Sequence, residues 1–268
     1  QIQLDGGSFD NNGMPLQNAA NGSISGFGTL RIGALVNDGQ ILLASGPSAV
    51  HANLLANAGS QTILSGQGNT TFYGAVDVQR GAELRVSQGA VATFFGPVNQ
   101  RSGARFTGTG QKYFEGGMAV GNSPGLGSDA GSVTFGASNT YTAEIGGTDP
   151  GDALGNGIQF DRYQVAGTLH FGGTLAVVAW HGFAPLAGQR FDLFDWGSSQ
   201  GSFAMLDFAQ APLAAGLVWD TSHLYVDGSL AVAAVPEPGS TSLMLTGLGV
   251  LGWLVLRRPR GGADACAG

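Results

Sequence analysis

Gly121-Asn122-Ser123-Pro124-Gly125 has the G-x-S-x-G spacing of a nucleophile elbow, in which a serine hydroxyl attacks an acyl carbon. That device needs the backbone N–H of the residue after the serine for its oxyanion hole, and Pro124 has none. No helical pattern follows, so a turn that terminates a stack of strands is the expected role. Gly247-Leu248-Gly249-Val250-Leu251-Gly252 fits the dinucleotide fingerprint G-x-G-x-x-G, but no strand precedes it and no acid lies about 20 residues on. Close helix packing is the better reading. Asp149, Asp152 and Asp161 offer the oxygens Ca²⁺ prefers, yet their spacing is not that of an EF-hand, and loop and turn acids are expected. His51, His170, His181 and His223 are scattered, no two at metal-ligand spacing, with His170 on the outward side of a strand. No catalytic residue, metal or cofactor is predicted.

Composition narrows the function classes further. Charged residues are 11% of the 268, against a norm of about 25%, and 47 glycines sit among many Ser, Thr, Asn and Gln. Solubility therefore rests on neutral polar groups. A net charge of −7 with Lys112 as the single lysine excludes the dense basic surface a nucleic-acid binder needs. Cys266 is the one cysteine, so no intramolecular disulfide and no Cys-based metal cage can form. The chain opens at Gln1 without an apolar signal core, so any secretory signal is expected to have been removed or not included.

The elements follow from a repeat. Thr71-Phe72-Tyr73-Gly74-Ala75-Val76 returns as Thr93-Phe94-Phe95-Gly96-Pro97-Val98, and Gly81-Ala82-Glu83-Leu84 as Gly103-Ala104-Arg105-Phe106, each displaced by 22 residues. Periods in the twenties mark stacked coils that bury their apolar faces only against neighbours. Phe72, Val76, Val78, Ala82, Leu84 and Val86 share one parity, with Asp77, Gln79, Glu83 and Arg85 on the other, which is the period of half-buried strands. The shift sets Asp77 beside Asn99 and Glu83 beside Arg105, an ion-pair ladder rather than a carboxylate pair. Residues 1–125 are thus expected to be a parallel β-helix, with an irregular antiparallel domain as the alternative.

Over residues 126–234 strands are expected at 163–171, 174–180, 190–196, 217–219, 224–226 and 230–232, and Gly172-Gly173 reads as a hairpin turn or a solenoid corner. Phe160-Asp161-Arg162-Tyr163-Gln164-Val165-Ala166-Gly167-Thr168-Leu169, with Gly172-Gly173-Thr174-Leu175 and Gly216-Leu217-Val218-Trp219-Asp220-Thr221 ahead of Leu224-Tyr225-Val226, resembles the β-rich C-terminal part of autotransporter-passenger-like surface proteins. The resemblance implies a secreted β-helical stalk with its cap, and no particular activity.

Residues 235–268 form a tail of different character. Val235-Pro236-Glu237-Pro238-Gly239 leads into an uncharged stretch over 243–256 that includes Leu243, Leu245, Leu248, Val250, Leu251, Trp253, Leu254, Val255 and Leu256. Arg257, Arg258 and Arg260 end it. A helix apolar all round suits lipid, and arginines just beyond suit the cytoplasmic side. Counted from Ser240 the span is about 25 Å of helix, short but sufficient if the arginines snorkel. The ordered combination of Pro236-Glu237-Pro238, apolar span and arginine cluster resembles the PEP-CTERM sorting signal. That resemblance implies an inner-membrane precursor whose ectodomain lies outside, recognised at Pro236, Glu237 and Pro238 by an exosortase and passed to the cell surface or extracellular matrix. Gly239 departs from the pattern, standing where a small hydroxylated residue is more usual.

The expectation is an all-β, exported structural or adhesin-like protein with a parallel β-helical ectodomain and one C-terminal transmembrane helix. Exosortase and membrane are its expected partners, with exopolysaccharide as a further one in a biofilm setting. No aromatic platform for a sugar is legible. The alternative is a carbohydrate-active enzyme, a polysaccharide lyase or hydrolase, on the same β-helix and anchor.

Overall fold

The computed structural model describes residues 1–122, 124–152, 154–235 and 248. The chain divides into two units, Gln1–Ala233 and Ala234–Gly268. The helix expected over 243–256 lies outside the described residues apart from Leu248, and among the described residues no helix is long and apolar enough to cross a membrane.

The first unit is a parallel β-solenoid, with twenty strands in one sheet wound around an axis. Gln61–Leu64, Asn69–Phe72 and Val76–Val78 make one coil, Glu83–Val86, Val91–Phe94 and Val98–Gln100 the next, and Arg105–Thr107, Gln111–Phe114 and Met118–Val120 the one after. Each strand pairs with its counterpart a coil away, so Val76 lies in register with Val98 and Glu83 with Arg105, as the repeat predicts. The antiparallel alternative for residues 1–125 is overturned by these parallel pairs.

Side chains of inward parity form columns along the axis. One holds Leu54, Val76, Val98, Met118 and Tyr141. Another holds Phe72, Phe94, Phe114 and Phe135, whose ring centroids are 5.0, 5.2 and 6.3 Å apart in sequence. Coil spacing of about 4.8 Å suits offset ring stacking, so the ladder of backbone bonds and the column of rings reinforce one another. Corners are turned by glycine. Gly81 and Gly103 occupy equivalent corners with φ of 82° and 81°, a conformation that side chains other than glycine rarely adopt.

Three local expectations are corrected. Gly121 to Gly125 does not terminate the stack, because Leu126–Asp129 pairs with Arg105–Thr107 on one side and Arg162–Phe171 on the other. Gly172-Gly173 is a solenoid corner, since Arg162–Phe171 and Thr174–Ala179 each pair with strands of neighbouring coils. Residues 224–226 form a turn, not a strand. Their apolar residues serve separate ends: Leu224 is buried, while the Tyr225 hydroxyl accepts from the Phe203 N–H at 3.0 Å.

Parallel stacking runs as far as Met205–Gln210, where the last coil would leave an unpaired edge and an open core. Beyond it lies a three-stranded sheet of Arg190–Asp192, Ser229–Ala234 and Leu217–Asp220, the first two antiparallel. Trp219 of this sheet stacks on Phe208 of the last coil at 5.4 Å. Asp227 ties the sheet together: it accepts from the Ser229 hydroxyl at 2.7 Å and pairs with Arg190 and His223.

Two outcomes follow from this packing. Phe94→Ala, which removes a fully buried ring from the column, is expected to cost about 3–5 kcal/mol in chemical denaturation. Phe95→Ala, one residue on and facing out, should cost no more than about 1.5 kcal/mol. The Ser229 hydroxyl, then Arg190 and His223, hold the Asp227 carboxyl down at about 2. A folded pKa below the unfolded value of about 3.9 means that its stabilisation is complete above about pH 4 and is lost as pH falls through about 2. Melting curves from pH 5 to 2 should show that loss in the wild type and a smaller pH dependence in Asp227→Asn.

Candidate functional site

The repeated Thr-Phe-x-Gly segment positions a row of outward side chains at one corner of the solenoid. Phe72 and Phe94 point inward, so the next residues, Tyr73 and Phe95, must point out, one coil apart. Their backbone is held by the coil beneath, with the Tyr73 N–H donating to the Val50 carbonyl at 3.0 Å and the Phe95 N–H to the Phe72 carbonyl at 2.8 Å. Gly74, Gly96 and Gly116 then let the chain turn against the preceding coil. A Cβ on Gly96 would lie 2.1 Å from the Gly74 carbonyl oxygen, and one on Gly116 2.0 Å from that of Phe95.

His51 continues the row on the preceding coil. Its ring is parallel to that of Tyr73 within 3° at 4.3 Å, and Tyr73 stacks on Phe95 at 5.6 Å and 14°. Tyr73 is 49% and Phe95 53% exposed, which is unusual for large rings that the core could have taken. Arg31, in register with His51, extends the row at one end, and Glu115, which follows Phe114, extends it at the other. The result is a flat, solvent-facing aromatic strip three coils long, roughly 10 Å, bracketed by one positive and one negative group. Beside it the neighbouring outward column carries Thr71, Thr93, Tyr113 and Thr134.

No aromatic platform was identified from the sequence, and the structure brings these three rings together on the surface. The signal was present in the repeat, because the shift that stacks Val76 on Val98 also stacks Tyr73 on Phe95. His51 was not legible, since its segment, Val50-His51-Ala52, lacks the Thr-Phe-x-Gly pattern.

Acidic residues are for the most part tied to arginines or to backbone. Asp77 accepts a two-pronged pair from Arg101, at 2.7 Å for the shorter bond. Glu83 takes a hydrogen bond from Thr107 at 2.7 Å and pairs with Arg105 at 3.4 Å, the expected ladder. The Thr107 hydroxyl, more than the arginines, holds the Glu83 carboxyl below its usual value. Asp192 and Asp195 converge on Arg162 at 3.2 and 3.0 Å beside a cleft of about 600 Å³ lined by Trp196, Gln164 and Thr107. Burial and the Asp195 charge raise the Asp192 carboxyl, and Arg162 opposes them.

Asp149, Asp152 and Asp161 are not brought together, and among the described residues no group of three His, Cys, Asp or Glu side chains placed to hold a metal ion is found. Asp149 and Asp152 cap their own turns, at Gly151 and Leu154. Asp161 departs from its expected loop role: it is buried, accepts the N–H groups of Gly125 and Glu144 at 2.7 and 2.9 Å, and is pushed well up by desolvation. Ser123 of the G-x-S-x-G segment lies outside the described residues. His170 is half-buried, in register with Thr134 and Gln200, and His181 and His223 are exposed.

Fold and surface together define a parallel β-solenoid, on a chain whose tail has the pattern of a sorting signal. Residues 234–260 match the PEP-CTERM protein-sorting motif. The matched segment contains Pro236, Glu237 and Pro238, the apolar run and Arg257, Arg258 and Arg260, all outside the described residues apart from Leu248. The motif implies an exported protein that an exosortase processes. No curated protein shows significant similarity to the chain.

Proposed function

We propose that this chain is a structural, adhesin-like component of the cell surface or extracellular matrix. In this reading its solenoid binds exopolysaccharide along the His51, Tyr73 and Phe95 strip, and its tail hands it to an exosortase at Pro236, Glu237 and Pro238. The exposed in-register aromatic stack is the observation that carries the ectodomain role. The apolar C–H face of a sugar ring packs on an aromatic face, while the surrounding hydroxyls need neutral donors and acceptors. The threonine column beside the strip supplies them. The function is binding rather than turnover, supported by the pairing of Asp77, Glu83, Asp192 and Asp195 with arginines.

One observation favours a second reading. Asp192 and Asp195 beside Trp196 give a polysaccharide lyase or hydrolase two adjacent acids, one with a raised pKa. Shortening of the polymer by the wild type but not by Asp192→Asn would replace the binding role with this one.

Two experiments test the proposal. In sedimentation with the producing cells' own exopolysaccharide, Tyr73→Ala with Phe95→Ala should lose at least about tenfold in affinity, while Met205→Ala, an exposed side chain on the last coil, should lose little. Equal binding by the double variant would remove the strip from the function. For sorting, alanine at 236, 237 and 238 should extend the apolar run as helix and leave insertion intact. Protein mass in strains with and without the exosortase should then show tail loss in the wild type alone. Equal processing would reduce the Pro-Glu-Pro segment to a linker.

A further inference from the structure

Two inward columns are interrupted by charge-bearing residues that meet inside the solenoid. Thr70, Ala92, Lys112, Val133 and Leu169 form one column, and Thr62, Leu84, Phe106, Asp129 and Val165 the other. Lys112 is the only lysine in the chain. Its Nζ lies 2.9 Å from Asp129 Oδ1, and both side chains are 0% exposed. Oδ1 also accepts from the Gly131 N–H at 2.7 Å, whereas Oδ2 has no hydrogen-bond partner, nor has the nearby buried hydroxyl of Tyr163.

A buried ion pair is an expensive way to fill this space. Removing two charges from water costs several kcal/mol per ion, repaid only when the remaining lone pairs and protons are also satisfied, and here Oδ2 is not. Passing the ammonium proton to the carboxylate leaves a neutral amine against a neutral acid, which costs less to bury. Desolvation drives Asp129 in that direction, raising its carboxyl against the opposing effects of Lys112 and Gly131. An amine held in contact with a carboxyl carbon in a dry interior has an effective concentration of about 10⁵–10⁸ M for amide formation.

We infer that Lys112 and Asp129 condense to an intramolecular isopeptide bond. The Nζ lone pair attacks Asp129 Cγ and an N–C bond forms. One Cγ–O bond breaks, and that oxygen leaves as water with the two protons released by the former ammonium. Nothing is oxidised or reduced, and no co-reactant is needed. The bond ties Gln111–Phe114 of one coil to Leu126–Asp129 of the next. It gives covalent reinforcement to an ectodomain that cannot form a disulfide, because the chain's single cysteine lies at position 266.

The full-length protein, extracted in detergent, fully denatured and digested with trypsin, decides the matter by mass. Cleavage after Arg105, Lys112 and Arg162 would release residues 106–112 and 113–162 from an unlinked chain. With the bond in place, cleavage at Lys112 is blocked and residues 106–162 appear as one peptide, lighter than its sequence by one water. Lys112→Arg keeps charge and cleavage site but cannot form the amide, and should restore both separate peptides at full mass. Recovery of the two separate peptides from the wild type would overturn the inference and leave a buried ion pair, whether or not the variant folds.

Discussion

In-register parallel stacking is the constraint on which the rest of this structure depends. Once each coil hydrogen-bonds the one before it at about 4.8 Å, every residue is placed directly above its repeat counterpart, inside and out. Inside, this sorts side chains into columns of like shape, the Phe72 to Phe135 rings being the clearest. At the corners it demands glycine where backbone meets backbone, as at Gly96 against Gly74. Outside, it turns a repeated aromatic into a continuous strip. One geometric rule thus produces core, corner and candidate binding surface together.

The same rule explains the scarcity of charge. A charged residue retained in every repeat would face its own copy across a single coil spacing, and like charges directly opposite are destabilising. Neutral polar residues have no such conflict and can bond their own kind: Asn18 donates to Asn37 at 2.7 Å inside a corner, and Gln40 to Gln61 at 3.2 Å outside. Where charge does occur, sign or type changes from coil to coil. Gln61, Glu83 and Arg105 succeed one another in register, as do Asp77 and Asn99, with Arg101 reaching back to Asp77. Each exposed pair contributes little, about 0–1 kcal/mol, so its value lies in avoiding repulsion and opposing slippage.

The central coils were legible because two repeat copies preserve spacing, parity and corner glycines together. The pairing of residue 76 with 98 inside, and of 83 with 105 outside, follows from addition alone. Elsewhere the signal thinned for identifiable reasons. Ser23–Asn37 and Gln40–Ala56, of 15 and 17 residues, each run through most of one coil as a single bent strand with register shifts, so no punctuating motif marks their corners. The turn holding Leu224 and Tyr225 mimics a strand because two consecutive large residues are needed at two different contacts. The meeting of Lys112 and Asp129 could not be read at all: they are 17 residues apart on different faces, and only closure of the coil brings their inward sides together.

The outward strip and the tail place different demands on one chain. A strip that must stay flat needs coils that do not slip or fray, and a solenoid resists fraying only as well as its weakest neighbour contact and its ends. The antiparallel sheet beyond Met205–Gln210 protects one end, with Trp219 against Phe208 and Asp227 bonding Arg190 to Ser229. The sorting motif over residues 234–260 begins at the last residue of Ser229–Ala234, a strand of that sheet. Force entering from the C-terminal side meets that sheet before the aromatic strip, because His51, Tyr73 and Phe95 lie in earlier coils with later coils between. The order of elements therefore puts the antiparallel sheet on the C-terminal side and the exposed rings several coils further back along the chain.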